Sequence, residues 1–419
     1  MEVFNRIGRG ASRVGPGIVF ILSVVGAGDI VTNAALGAEY GVTLIWMLAL
    51  TLVFRYVWIR ASARYVLVTG ETLLEGYSRL GRQMPWVLLG AITLTRHVSN
   101  LYKILLIGTV AQIYLEIPGE WGAAAWSLIL TMTGFAMMFW GGYPVVERVF
   151  RLVLVLLGGA LVTGAALSQP DPVEILKGSL IPNLPGHEGL YGLVLLIMAL
   201  IGAEAGSMTN LTYCYFMQEK GWNGIRDMAR QRLDLAFSVV SMFAMGALIQ
   251  ITASGTFGKT GLLPESTADL VDILAHGQGV VGWLVFGFGL LVAVFTGFVG
   301  GTTGYALIAR DLVRLIAQRT GRNPGDGQWA YRGFVVFCSF SPLYILFLDV
   351  QPVWLLLTVH ALTVVLIPFL GAGLLVITNR KDLMGEYRNG VVSNVILVLL
   401  VGVSLYLCLV QAWRFLSQG

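Results

Sequence analysis

The chain has 419 residues, of which 56% are hydrophobic and only 12% are Asp, Glu, Lys or Arg, with a mean hydropathy of +0.78. Soluble domains carry roughly 25% charged residues, so a soluble enzyme is excluded first, and the aliphatic and aromatic content excludes disorder. The formal charge of +4 comes from no basic block, which argues against a nucleic-acid partner, and Cys214, Cys338 and Cys408 form neither a disulfide framework nor a zinc pattern.

A helix that crosses a bilayer needs about 20 predominantly apolar residues. Eleven segments qualify, at 16–38, 41–62, 86–115, 122–142, 146–168, 189–215, 231–254, 279–306, 330–348, 353–377 and 391–413. The predicted fold is therefore an all-α membrane protein of eleven transmembrane helices. It divides into a cytoplasmic segment 1–15, a membrane core 16–390, and a final part 391–419 that holds the eleventh helix and a short outer C-terminus. Arg6, Arg9 and Arg13 precede the first span, but that span is too long for a signal peptide, contains Asp29 and is followed by ten others.

Basic residues in short loops set orientation. With the N-terminus in the cytoplasm, 21 Lys and Arg fall in inner loops and only Lys177, Lys259 and Arg414 fall outside; Arg55, Arg96 and Lys103 lie within spans. The expected location is the bacterial inner membrane, with the C-terminus outside and lipid as the surrounding partner. No oligomer is indicated.

Two spans are interrupted at corresponding places. The first contains Gly26-Ala27-Gly28-Asp29, and the sixth, five spans later, contains Gly202-Ala203-Glu204-Ala205-Gly206-Ser207. Each glycine costs a helix about 1 kcal/mol relative to alanine, and an ionisable residue at mid-membrane costs at least ~2.5 kcal/mol. Paired, glycine-interrupted spans point to an inverted five-plus-five repeat with a solute held at the unwound midpoints. The plainer reading makes these glycines packing contacts between helices; an acidic residue in each break favours the first.

Further runs carry a family resemblance. Gly15-Pro16-Gly17 stands before the first break, and Thr32-Asn33, Gly37-Ala38, Tyr40-Gly41 and Leu44-Ile45-Trp46 follow it. Others are Leu176-Lys177-Gly178, Ile181-Pro182-Asn183-Leu184-Pro185, Arg232-Leu233-Asp234 and Phe286-Gly287-Phe288-Gly289-Leu290-Leu291. The most specific is the loop Met384-Gly385-Glu386-Tyr387-Arg388-Asn389-Gly390. From about Gly15 to Gly390 the chain resembles a divergent member of the NRAMP (natural resistance-associated macrophage protein) family of proton-coupled divalent-metal transporters. That resemblance implies a transporter core over 16–390, no resident cofactor, and a small cation as substrate.

The resemblance weakens at the metal site. The family's Asp-Pro-Gly-Asn falls on Gly26, Ala27, Gly28 and Asp29, so its first carboxylate is missing and a new one stands three residues later. Its Met-Pro-His falls on Gly206, Ser207 and Met208, so the thioether is missing while Glu204 has appeared nearby. The expected substrate site comprises Gly26, Asp29, Ala203, Glu204, Gly206 and Ser207. Metal ligands would be Asp29, Glu204 and the Ala203 carbonyl. Oxygen ligands suit hard ions, so Mg²⁺ or Mn²⁺ are the expected cargo rather than iron or cadmium.

In the third span the family's acidic pair falls on His97 and Asn100, which predicts weak or absent proton coupling. Arg96 and Lys103 lie near one helical face with Asn100 between them, and these four residues are candidates for the pathway or for coupling. Either Arg96 or Lys103 neutralises Asp29 or Glu204, or the two bind an anionic group of a small organic solute; a snorkelling Lys103 is the blander option. A free imidazole titrates near neutrality, which makes His97 a candidate for coupling a proton, with a hydrogen-bonded structural histidine as the plainer reading. His360, Thr302, Thr303 and Asn210 read as helix-to-helix hydrogen bonds before they read as pathway residues. Walker, Gly-x-Ser-x-Gly and His-Glu-x-x-His patterns are absent, so the chain reads as no enzyme. A non-transporting membrane sensor is the remaining alternative.

Overall fold

Helices form where the apolar runs are continuous and end where glycine, proline or a capping side chain takes over the backbone. The computed structural model describes residues 26–140, 156–169, 171–186, 189–205, 208–260, 263–323, 325 and 327–418. Helix α1 spans Ala27–Tyr40 and α2 Ile45–Thr69. Helix α2 closes at Gly70, whose left-handed φ of 70° lets its N–H return to the Val66 carbonyl at 2.9 Å. The short α3, Leu73–Ser78, opens on a capping box: Thr72 Oγ1 accepts from the Glu75 N–H, and the Glu75 carboxylate accepts from the Thr72 N–H.

Helices α4 (Met84–Tyr114), α5 (Gly122–Trp140), α6 (Leu156–Leu167) and α7 (Pro172–Leu180) follow. After them come α8 (Leu193–Leu200), α9 (Thr209–Glu219), α10 (Met228–Thr260) and α11 (Thr267–Ala275). The last are α12 (Gly279–Arg319), α13 (Gln328–Phe340), α14 (Pro352–Thr363), α15 (Leu366–Asn379) and α16 (Val391–Gln418). Among the described residues, eight helical stretches are long and apolar enough to cross a membrane. The expected third span is also one continuous helix, the 31-residue α4, which carries Arg96, His97 and Lys103 along its length. The first span is described only from Gly26 and the fifth only from residue 156, so their N-terminal parts lie outside the described residues.

Helix α12 packs along α4, α10 along both α1 and α2, and α8 along α14. The α1–α10 approach depends on Gly37, where a Cβ would come within 2.7 Å of Gln250 Cα. Large apolar side chains such as Trp86, Leu94, Val240, Val280, Leu362 and Val398 remain exposed around the bundle. In water that belt would aggregate; in lipid it is the contact surface.

Polar contacts tie the helices together at one end and in the centre. At one end Arg314 of α12 meets Glu75 at 2.9 Å, and Arg319 donates to the carbonyls of Ser78, Gly81 and Arg82, tying α12 to the α3 turn. The loop that carried the most specific resemblance docks beside them. Arg64 of α2 donates to Asn389 Oδ1, and Asn389 donates to Thr378 Oγ1 at 2.8 Å.

Candidate functional site

The two breaks have different local causes. Gly26 is extended (φ −129°, ψ −165°), so helical geometry begins only at Ala27, and the Gly26 N–H donates to Asp29 Oδ2 at 3.0 Å. Asp29 thereby caps its own helix, a favourable place for a negative charge. In the sixth span α8 stops at Leu200, residues Ile201–Ala205 form a π-helical turn, and α-helical geometry resumes at Thr209. A π turn leaves carbonyls without their usual partners; Asn210 Nδ2 takes one of them, Ala205 O, at 2.7 Å. Gly206 and Ser207 lie outside the described residues.

Both breaks close on His360 of α14. A Cβ on Gly28 would come within 2.5 Å of His360 Cε1, and one on Gly202 would meet the His360 carbonyl carbon at 2.7 Å. These glycines therefore permit close approach, which is the packing reading of the breaks, while the carboxylates beside them do something else. The His360 ring is held by the Tyr102 hydroxyl, 3.1 Å from Nε2.

A chain of polar groups links four helices at this depth. Gln250 of α10 donates to Asn33 Oδ1 at 2.8 Å, and Asn33 of α1 donates to Glu204 Oε1 at 3.2 Å and to the Asp29 carbonyl at 2.8 Å. Arg55 of α2 completes it, with Nη1 3.4 Å from Glu204 Oε2 and Nη2 donating to the Ala203 carbonyl. Arg55 and Glu204 are 0% and 1% exposed. The Asp29 and Glu204 carboxyl groups are close enough to interact electrostatically. No protein donor reaches the buried Asp29 Oδ1. Two adjacent carboxylates repel unless a positive charge or a proton sits between them, and here one guanidinium makes its direct contact with Glu204 and acts on Asp29 from further away.

Asp29 lines a cavity of about 70 Å³, with Gly26, Gly28, Gly202 and Ala203 on the side of the breaks. Arg96, Ser99, Tyr102 and Lys103 of α4 form the facing wall, and Tyr305 and His360 close it. Liquid water takes about 30 Å³ per molecule, so the space matches a few waters or an ion with part of its shell. Glu204 does not line this cavity; its carboxylate turns toward α2.

The α4 residues divide by face. Arg96 donates from Nε to Thr302 Oγ1 at 2.9 Å and from Nη2 to the carbonyls of Gly297 and Phe298 at 2.8 and 2.9 Å. Gly301 makes room for that guanidinium, since a Cβ there would lie 2.9 Å from Arg96 Cζ. Asn100 donates to the Cys338 carbonyl at 2.8 Å. Lys103 Nζ bonds Ser99 Oγ at 2.5 Å and sits 4.7 Å from the centre of the Tyr102 ring. His97 faces away from the cavity: its Nδ1 is 2.7 Å from Ser341 Oγ, and its ring stacks on Tyr344.

The sequence offered Arg96 or Lys103 as the group that neutralises the carboxylates; the residue bound to Glu204 is Arg55. Two of the three expected metal ligands, Ala203 O and Glu204, are held by that guanidinium, which leaves Asp29 as the carboxylate beside the cavity. Arg55 carried a signal in the sequence, because a lone charge in the middle of an apolar span is expensive and faces a partner. Nothing in the sequence said which partner. Asn33 stood in one of the runs that carry the resemblance but with no role attached, and Gln250 gave no signal beyond being polar. Among the described residues, no group of three or more His, Cys, Asp or Glu side chains is placed to hold a metal ion.

A family model described as natural resistance-associated macrophage protein-like (Nramp) matches residues 17–414. A divalent metal cation transporter, MntH, of Chromohalobacter salexigens is 24% identical over 407 residues, covering 94% of this chain and 90% of its relative. The MntH of Yersinia pestis is 22% identical and covers 94% of each. Among solved structures, the Eremococcus coleocola manganese transporter superposes with a TM-score of 0.71 at 15% identity, covering 95% of this chain and 85% of that one.

Proposed function

Because the chain belongs to the Nramp family, a family of membrane transporters rather than enzymes, we propose that it carries a small divalent cation, Mn²⁺ or Mg²⁺, through the cavity beside Asp29 by alternating access. The observation that carries this reading is Asp29 Oδ1, a buried carboxylate oxygen with no protein donor, on a residue lining a space of ion size between two helix breaks. A buried carboxylate oxygen without a donor is costly, and a cation offsets that cost. The cation would be held by Asp29, neighbouring backbone oxygens and its own water, since hard ions such as Mg²⁺ keep several waters and accept few protein ligands. The metal-transporter names of the relatives support the same cargo class.

Selectivity follows from the lining. No Met or Cys lines the described cavity, so sulfur gives Cd²⁺ no advantage. Uptake of Mn²⁺ into proteoliposomes tests the function. Mg²⁺ is expected to compete with Mn²⁺ within about tenfold, whereas inhibition by Cd²⁺ at concentrations orders of magnitude lower than Mg²⁺ would contradict an oxygen-only site.

Coupling to protons is expected to be weak or absent. Arg96 and Lys103 line the cavity with Asp29 and repel a proton there, and His97 lies on the other face of α4. Mn²⁺ uptake should therefore leave the lumenal pH unchanged in liposomes loaded with a pH dye. Acidification that keeps pace with uptake would overturn this point and leave the cargo reading intact.

One observation favours a second reading, a small solute with an anionic group: Arg96 and Lys103 share the cavity with Asp29. Arg96 is committed to three acceptors on α12, so Lys103 discriminates. Like charges repel across a low-dielectric site. Lys103→Gln should strengthen Mn²⁺ binding by about tenfold, which corresponds to about 1.4 kcal/mol, as read by titration calorimetry; weaker Mn²⁺ binding in that variant would favour the anionic solute.

A further inference from the structure

We propose that Arg55 is a tethered counter-cation: its guanidinium permanently fills the position on Glu204 and the Ala203 carbonyl that a second, mobile cation would otherwise take, so that the transport cycle needs only its cargo. The inference rests on the cation-transport reading above and adds the reason that no coupling ion is needed.

The geometry carries it. Glu204 Oε2 and Ala203 O converge on one point from the π-helical turn, and Arg55 reaches that point from α2. Glu204 Oε1 is held in place from the other side by Asn33, itself fixed by Gln250. A carboxylate oxygen, a backbone carbonyl and the neighbouring Asp29 carboxyl form an oxygen set of the kind that holds a hard cation. The sequence assigned Ala203, Glu204 and Asp29 to one ion for that chemical reason. Arg55 supplies one positive charge to the set, delocalised over a planar fork that is always protonated. A covalently attached charge cannot leave with the cargo or be taken from either compartment, so it neutralises Glu204 in every conformation without drawing on an ion gradient. The charged and titratable groups that act on the pair from other helices are Asp29 of α1 and His360 of α14, while Lys103 of α4 acts on Asp29. Of these only Asp29 is anionic, so removal of Arg55 leaves the Glu204 position short of one positive charge.

The test removes the tether and asks whether a free cation replaces it. Full-length wild type, Arg55→Ala, Arg55→Lys and Arg55→Ala/Glu204→Gln are purified at one fixed pH and compared in Na⁺, in millimolar guanidinium and in choline. Two quantities are read: the unfolding temperature in nanodiscs, and Mn²⁺ uptake into liposomes. Wild type and Arg55→Lys should be indifferent to the monovalent ion. Arg55→Ala should unfold at a lower temperature in choline, recover with Na⁺ or guanidinium, and show uptake at least about tenfold faster with that ion than in choline. The double variant should lose the ion response, which places the acquired ion on Glu204. A merely structural Arg55 would lower stability equally in all three salts and leave uptake without an ion requirement; either result overturns the proposal. If Arg55→Ala does not fold in choline, folding that returns with guanidinium supports the tether and failure in all three salts overturns it. Should no variant or wild type take up Mn²⁺, the cargo reading fails, while the unfolding temperatures still decide whether the Arg55 position holds a cation.

Discussion

Arg55→Met should cost the folded protein about 3–5 kcal/mol, the loss seen when one member of a buried ion pair is removed and the other is left behind. Glu204 is 1% exposed and sits beside Asp29, so without the guanidinium it is a buried carboxylate next to another carboxylate. Methionine fills much of the arginine stem's volume, so the loss reports charge rather than a cavity. Glu204→Gln should be nearly as damaging, because it strands the guanidinium. The combination Arg55→Met/Glu204→Gln should regain most of the stability, since a neutral pair of similar size is often no worse than a buried ion pair. Unfolding of the four proteins in nanodiscs measures this as a double-mutant cycle. Strictly additive losses would show that Arg55 and Glu204 do not act on each other.

Asp29→Asn should abolish transport with little loss of stability. The amide oxygen of asparagine can still accept the Gly26 N–H, so the start of α1 is kept, while the charge beside the cavity is gone. A charge-assisted contact to a metal ion is far stronger than one through a neutral amide. The expected fall in Mn²⁺ uptake is about a hundredfold or more, equivalent to about 2.8 kcal/mol of lost cation stabilisation. Full uptake by a stable Asp29→Asn protein would move the cation path away from this residue.

Most of the fold was legible because its signals are coarse. Apolar runs of membrane length predict where α2, α10, α12 and α16 lie, and the glycines at positions 26, 28 and 202 predict where helices are interrupted. The site was legible only in part. The glycine interruptions place Asp29 and Glu204 in the two breaks, but the direction a side chain takes from a π-helical turn depends on the local winding, which composition does not encode. Glu204 consequently turns to α2, and no pattern in the residues joins position 55 to position 204 across 149 residues. Arg96 shows the same limit. Its charge was visible, whereas its acceptors, the carbonyls of Gly297 and Phe298, are exposed by the glycine-rich stretch of α12, a feature of backbone packing.

An anomalous difference map from crystals of the full chain soaked in Mn²⁺ decides whether a divalent cation occupies the cavity beside Asp29. The account predicts a peak within about 2.0–2.6 Å of the Asp29 carboxylate, the range of hard-cation–oxygen bonds, with Arg55 still on Glu204 and Ala203. A fully occupied Mn²⁺ peak elsewhere in the bundle, with the Asp29 carboxylate free of it, would contradict the account.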